Sequence, residues 1–219
     1  MMKKYFLKGR TILILSVITL IFASCNTARI YENADFSYYI SNHKTLAVIP
    51  PSVKVLPSKY ETPEKRKNME DIYPYTIQEN MNSWFLKYHQ LRAFHVKVQD
   101  IEKTNSTLKK IGYPNGEGKN MTFEELAQVL GVDALLLSDW TIEHYKNTGG
   151  GIAMLVMFPI CPIVFIPTGI MALCTIQQRN NVVMKLIDGK TGDKIWQFDD
   201  NNISNYKKLC KTVPYFYWQ

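Results

Sequence analysis

Charge is missing from two stretches of this 219-residue chain, and both absences are informative. Residues 1–24 hold no acid, and their only charges are Lys3, Lys4, Lys8 and Arg10. Residues 147–178 hold no charge of either sign. Histidine and cysteine are scarce too, at four each. His43, His89, His95 and His144 are isolated, and no two stand at a metal-ligand spacing. Cys161, Cys174 and Cys210 match no metal site either; Cys161 and Cys174 can face each other across a hairpin, or all three can be buried thiols. No serine occupies a nucleophile elbow. Gly189-Lys190-Thr191 is not a phosphate loop, because that motif needs a glycine where Met184 stands and a helix after it. Asp133, Asp139 and Glu143 cluster on one segment, where Asp133 reads as a cap or a solvated group rather than a base. The chain therefore shows no catalytic, cofactor or metal motif, and a non-enzymatic role is expected.

What is present at the start is an address. After the basic residues, Thr11 to Phe22 is uncharged and mostly aliphatic, and Ala23-Ser24-Cys25 closes it with two small residues before a cysteine. A positive n-region, a short apolar h-region and a small-residue cleavage site make a secretory signal. The run is short of the roughly 20 residues that cross a bilayer as a helix. Ending on cysteine, it resembles the lipobox of bacterial lipoproteins, whose thiol is diacylated before the leader is cut. The resemblance implies Cys25 as the lipidated N-terminus, carrying palmitate-type chains, and more than one chain makes a stable anchor.

Removing residues 1–24 changes the charge balance. The whole chain has 26 basic and 19 acidic residues; the remainder has 22 and 19, so +7 falls to +3. Most of the apparent basicity belongs to the leader, and a nucleic-acid partner is not expected. The remaining 195 residues suffice for one domain with a real core.

Residues 25–44 read as a lipid-anchored tether with scattered aromatics. Thr45 to Ile49 is an apolar run stopped by Pro50-Pro51, which predicts a strand buried on both faces. Residues 52–74 read as a long proline-containing loop with a helical turn near Glu64 to Met69. From Tyr75 to Phe94 the apolar residues Ile77, Met81, Trp84, Phe85, Tyr88 and Leu91 fall on one stripe of a 3.6-residue period, with Gln78, Asn82, Lys87 and Gln90 opposite. A strand is predicted around Val96 and Val98, then a weakly helical segment over 100–112. Thr122 and Glu125 form a capping box, and Gly131 stops the helix they open. Val132 to Trp140 reads as a central strand extending toward Tyr145. Asn181 to Ile187 and Lys194 to Phe198 are strands joined by the tight connection Asp188 to Asp193. Residues 201–219 carry a short polar helix and an aromatic tail.

The uncharged stretch interrupts what would otherwise be adjacent antiparallel strands. Ile152 to Ile176 is long enough to span a bilayer, but Pro159, Pro162 and Pro167 would break a single helix. Two half-segments joined by a turn fit better, making a hairpin-like insert over 149–176. Its apolar residues Ile152, Met154, Leu155, Val156, Phe158, Ile163, Val164, Phe165, Ile166, Ile170, Met171 and Leu173 are the candidate membrane or partner contacts. Three readings fit: a hairpin dipping into the membrane, an oligomer or partner interface, or extra core.

The element order, together with Val48-Ile49-Pro50-Pro51, Leu126-Ala-Gln-Val-Leu-Gly-Val-Asp-Ala-Leu-Leu-Leu137 and Met184-Lys-Leu-Ile-Asp-Gly-Lys-Thr-Gly-Asp-Lys-Ile-Trp196, resembles a group of envelope lipoproteins. They share a fold with the curli-secretion channel lipoprotein, the N-terminal domain of the Tol-system propeller protein and the lipoprotein activators of peptidoglycan synthases. The resemblance covers roughly residues 44–145 and 180–200. It implies a single α/β domain, with a mixed sheet of about five strands, helices on one face and the insert added. It also implies an anchored lipoprotein that binds envelope proteins as an accessory or subunit of a secretion or envelope assembly, in some cases as a homo-oligomer. A pore-forming transport component that uses the insert is the alternative. In the curli channel the inserted elements are alternating strands, a pattern Ile152 to Ile176 lacks. Asn26 after the cysteine implies the outer membrane, facing the periplasm; the cytoplasmic membrane's outer leaflet and the cell surface are the alternatives.

Overall fold

The structure, a computed structural model, describes residues 28–146 and 176–216 apart from 60, 92, 116, 202 and 204. Its frame is a seven-stranded mixed sheet. The run Thr45–Val48 becomes β2, lying between β4 (Lys97–Val98) and β5 (Ala134–Lys146) and parallel to both. Alternation along an interior strand needs apolar residues at every position. Leu46 and Val48 enter one core, Ala47 and Ile49 the other, and all four are buried. Pro50 and Pro51 supply no donors and interrupt the edge. The chain rejoins the same edge of β5 as β3 (Ser52–Val55), with Ser52 opposite Asp139.

On the other side β5 pairs antiparallel with β6 (Ile176–Asp188) without a break, from Ala134 opposite Asp188 to Lys146 opposite Ile176. A turn containing Gly192 at φ 71° leads into β7 (Lys194–Asp200), and the first strand, β1 (Arg29–Glu32), closes that edge antiparallel to β7.

Helices cover both faces rather than one. α1 (Phe36–Asn42), α2 (Pro63–Gln90) and α5 (Tyr206–Cys210) contribute to the larger core, with Ile77, Met81, Phe85 and Leu209 buried against Val182, Met184 and Trp196. α3 (Ile101–Lys110) and α4 (Phe123–Leu130) build the smaller core through Leu108, Leu126, Ala127 and Leu130. Each fully buried side chain of this kind contributes about 1.5–3 kcal/mol. The reason for two layers is the unbroken apolar character of β2 and of Ala134 to Leu136, which leaves no polar face to meet water.

Two of the seven strands lie where none was expected. β3 falls in the proline-containing stretch. β1 falls in the segment read as a tether, and its four residues are all exposed, so it carries no burial alternation. The main helix starts twelve residues earlier than its apolar stripe suggests. Thr62 caps it by accepting the Lys65 N–H, Pro63 stands in the first turn where no donor is needed, and Pro74 is carried inside. Gln78, expected on the polar side, is buried. It donates to the Val48 carbonyl at 2.7 Å and exchanges amide hydrogen bonds with Asn105 at 2.8 and 3.0 Å. Leu91, expected inside, is 64 % exposed because the helix ends at Gln90. At α4 the capping box of Thr122 and Glu125 and the left-handed Gly131 (φ 69°) are both present.

Candidate functional site

Strand register brings the start of β1 and the open ends of β5 and β6 to one end of the sheet. β5 runs toward Lys146 and β6 returns from Ile176, so the chain leaves and re-enters side by side at the tip of a long ribbon. β1 runs the opposite way to β7, and its first residue, Arg29, pairs with Asp199, which pairs with Val183, which pairs with Asp139. The chain therefore enters β1 from the ribbon-tip side. Cys25 precedes Arg29 by four residues, a length that spans at most about 14 Å. From the level of Asp139 the ribbon continues for seven residues, roughly 23 Å at strand rise. Cys25 itself, Cys161, Cys174 and every candidate contact from Ile152 to Leu173 lie outside the described residues.

Behind the tip, the polar residues singled out from the sequence hold structure together. Glu143 pairs with Arg179 at 3.9 Å and Asp139 with Lys185 at 2.8 Å, both across the ribbon. His144 pairs with Glu61 and so ties the ribbon to the segment that opens α2; both side chains are at least nine-tenths buried. The Glu70 carboxylate accepts the Val55 N–H at 2.8 Å, satisfying a donor at the edge of β3. Asp133 caps the start of β2: its Oδ2 accepts from the Lys44 N–H, the Thr45 N–H and the Thr45 hydroxyl at 2.9–3.0 Å. Burial opposes its charge, but these hydrogen bonds and the nearby His43 outweigh that and hold its carboxyl below the usual range. His89 bonds the Phe94 carbonyl at 3.1 Å, and His95 packs edge-on against Tyr215.

At the far end of the sheet a buried polar network went unseen in the sequence. His43, the residue closing α1, places Nε2 2.7 Å from Asp188 Oδ1 and Nδ1 2.6 Å from the Tyr215 hydroxyl. Asp188 Oδ2 accepts from the Lys190 and Thr191 N–H groups and from the Thr191 hydroxyl, so the same carboxylate shapes the turn. Burial disfavours the Asp188 charge, yet the His43 bond and the Thr191 bonds prevail and its carboxyl titrates below the ordinary value. Burial pushes the Tyr215 hydroxyl well up, so it stays protonated; it shares a hydrogen bond with Nδ1, and Nε2 shares one with the carboxylate. The order of groups resembles a catalytic relay, but Tyr215 is fully buried, out of reach of any substrate. No local signal marks it: His43 and Asp188 are 145 residues apart, and Asp188 reads in sequence as a turn residue.

Two concavities lie among the described residues. A cavity of about 130 Å³ between α2, β5 and α5 is lined by Tyr73, Thr76, Ile77, Trp140, Ile142 and Tyr206. A groove of about 390 Å³ runs beside α4, bounded by Glu124, Gln128, Asp133, Gly189 and Lys190. No histidine or carboxylate lines the first, and no hydroxyl or thiol lines the second. Among the described residues no three His, Cys, Asp or Glu side chains converge as metal ligands, and no helix is long and apolar enough to cross a membrane. Cys210 is buried, and burial pushes its thiol up to about 12.

No family model and no curated protein matches the sequence. Among solved structures the chain is similar to lipoprotein GNA1162 from Neisseria meningitidis, at 16% identity over 78% of this chain and 92% of that one, with a TM-score of 0.40. It is similar to E. coli LpoB, at 12% identity over 76% of this chain and 62% of that one, with a TM-score of 0.37. It is also similar to the PelC dodecamer from Paraburkholderia phytofirmans, at 13% identity over 85% and 91%, with a TM-score of 0.30. These matches fall within the lipoprotein group that the sequence resembles. At such identities and scores the likeness carries no property of those proteins over to this chain.

Proposed function

We propose that this chain is a lipid-anchored envelope protein that acts by binding, as an accessory or subunit of a secretion or envelope assembly. Fatty acylation of Cys25 holds it at the outer membrane with its domain in the periplasm. The observation that carries the reading is the register of β1. It brings the chain in at the same end of the sheet as the ribbon that carries the uncharged insert. A protein docked by one end has its other surfaces free for a partner. The short link between Cys25 and β1 keeps the domain close to the bilayer instead of on a long leash.

A second reading has its own support. With the ribbon along the membrane normal, its tip extends roughly 9 Å past the reach of the four-residue link, from strand rise and maximal chain extension. That reach supports the reading of a membrane-inserting transport component that uses the insert.

The test is membrane fractionation of the wild type, Cys25→Ala, and a variant with residues 147–175 replaced by a two-residue turn, each with its own leader. Release by Cys25→Ala alone makes the lipid the sole anchor and the insert an interface or core. Release only by both changes together means the insert enters the membrane and favours the transport reading. A doubly changed protein that still sediments with membranes removes the anchored reading.

A further inference from the structure

Charge is segregated in the folded domain. Residues 81–99 and 201–219 contain Lys87, Arg92, Lys97, Lys207, Lys208 and Lys211 and no acidic residue. Setting these six aside leaves 16 basic against 19 acidic residues in the rest of 25–219, so the remainder is −3 while these two segments are +6. Far apart in sequence, the two segments touch where the C-terminal residues pack on α2 and the strand after it. Phe94 bridges to Phe216, the His95 N–H donates to the Tyr215 carbonyl at 3.2 Å, and the Cys210 thiol lies 3.9 Å from the Met81 carbonyl.

On α2 and α5 themselves, Lys87, Lys207 and Lys208, with Lys211 just after, are exposed and take part in none of the ion pairs among the described residues. What they meet is aromatic. Lys87 Nζ and Lys207 Nζ stand 5.1 and 6.0 Å from the centre of the same Trp84 ring, and Lys211 Nζ stands 5.8 Å from that of Tyr88. Two ammonium groups gathered at one indole offer an anion a paired positive contact. Leu91, 64 % exposed and one turn beyond Lys87 at the end of α2, offers an apolar contact.

We infer that this face of α2 and α5 is a docking surface for an acidic peptide segment of a partner protein, with carboxylates meeting the lysines and an apolar side chain meeting Leu91. The exposed leucine favours a peptide over a polysaccharide, which would have no use for an aliphatic side chain. The inference goes beyond the anchored-binding reading and does not depend on it, because the segregation belongs to the folded domain with or without its lipid.

The test uses the full chain in detergent and three probes: a labelled peptide of mixed Glu and Leu, an oligogalacturonate of matched charge, and phosphatidylglycerol vesicles. The expected result is that the peptide binds, weakening roughly tenfold between about 50 and about 300 mM salt as charge contacts are screened. Lys207→Glu with Lys211→Glu should remove binding, and Leu91→Ser should weaken it severalfold. All three positions are exposed, and unchanged thermal unfolding checks that the variants fold. Equal binding of the uronate, indifferent to Leu91→Ser, overturns the peptide assignment in favour of an anionic glycan. Preference for vesicles overturns it in favour of lipid. No binding by any probe at low salt removes the docking surface.

Discussion

Asp188 Oδ1 lies 2.7 Å from His43 Nε2, joining the last residue of β6 to the residue that closes α1, across 145 positions of sequence. With Tyr215 on the other ring nitrogen, this contact pins the entry to β2, the β6–β7 turn and the C-terminal tail at one point. Leaving a buried partner unsatisfied costs about 1–3 kcal/mol, more where the group is charged. His43→Ala should therefore lower stability by about 2–4 kcal/mol in urea unfolding. Tyr215→Phe, which deletes only the hydroxyl, should cost about 1 kcal/mol. In a double-mutant cycle His43 and Asp188 should couple, and equal, additive losses would disprove the pin.

Acid should release the same end of the molecule. Asp188 and Asp133 both titrate below the ordinary carboxylate value of 3.8 in the folded protein. A group whose folded value is depressed contributes stability that is fully present above its unfolded value. That contribution is lost as pH falls through the folded value. Stability should therefore be nearly flat above about pH 5 and fall steeply below about pH 4. Asp188→Asn should start lower and show a shallower acid slope, as measured by urea midpoints across that range.

Gly189 and Gly131 should answer alanine differently. A Cβ on Gly189 would stand 2.8 Å from the Asp133 and Val132 carbonyl oxygens and 2.9 Å from the Ala127 Cβ, backbone that cannot move aside. Gly189→Ala should cost about 1–3 kcal/mol through overpacking. At Gly131 nothing lies within 4 Å, but φ is +69°. There alanine pays only left-handed strain, about 1 kcal/mol, and asparagine less. Thermal unfolding of the three variants ranks them.

The Cys210 thiol is buried, with its titration pushed up to about 12. In a variant with Cys161 and Cys174 changed to serine and Cys25 to alanine, a thiol reagent at pH 8 should leave the folded protein unmodified and label it fully in denaturant. Rapid labelling of the folded protein would place α5 away from Met81.

Replacing residues 147–175 by an Asn-Gly turn should leave the domain folded, because Lys146 and Ile176 are already paired neighbours. The melting temperature should stay within a few degrees, since closing a shorter loop costs less entropy. A collapse in stability would assign the insert to the core.

Signals confined to one turn or one strand were legible in the sequence. The capping box at Thr122, the left-handed stop at Gly131, the all-apolar β2 and the hairpin from Asp188 to Asp193 each involve residues a few positions apart. The interrupted ribbon was legible as well, because its two strands are long and bounded by a charge-free stretch. Tertiary structure alone decided the rest. β1 and β3 are fixed by the unpaired edges of β7 and β5, because four residues such as Arg29–Glu32 or Ser52–Val55 are too short to mark a strand by themselves. Gln78 is buried because Asn105 and the Val48 carbonyl satisfy it, and Leu91 is exposed because its helix stops one residue before it. The His43 network, the common end shared by the chain entry and the ribbon tip, and the meeting of Lys87 with Lys207 at Trp84 all depend on pairings across long stretches of chain. A lone His, Asp or Lys carries no local mark of such a partner. Only the sheet, by setting which distant residues stand side by side, decides what each of them meets.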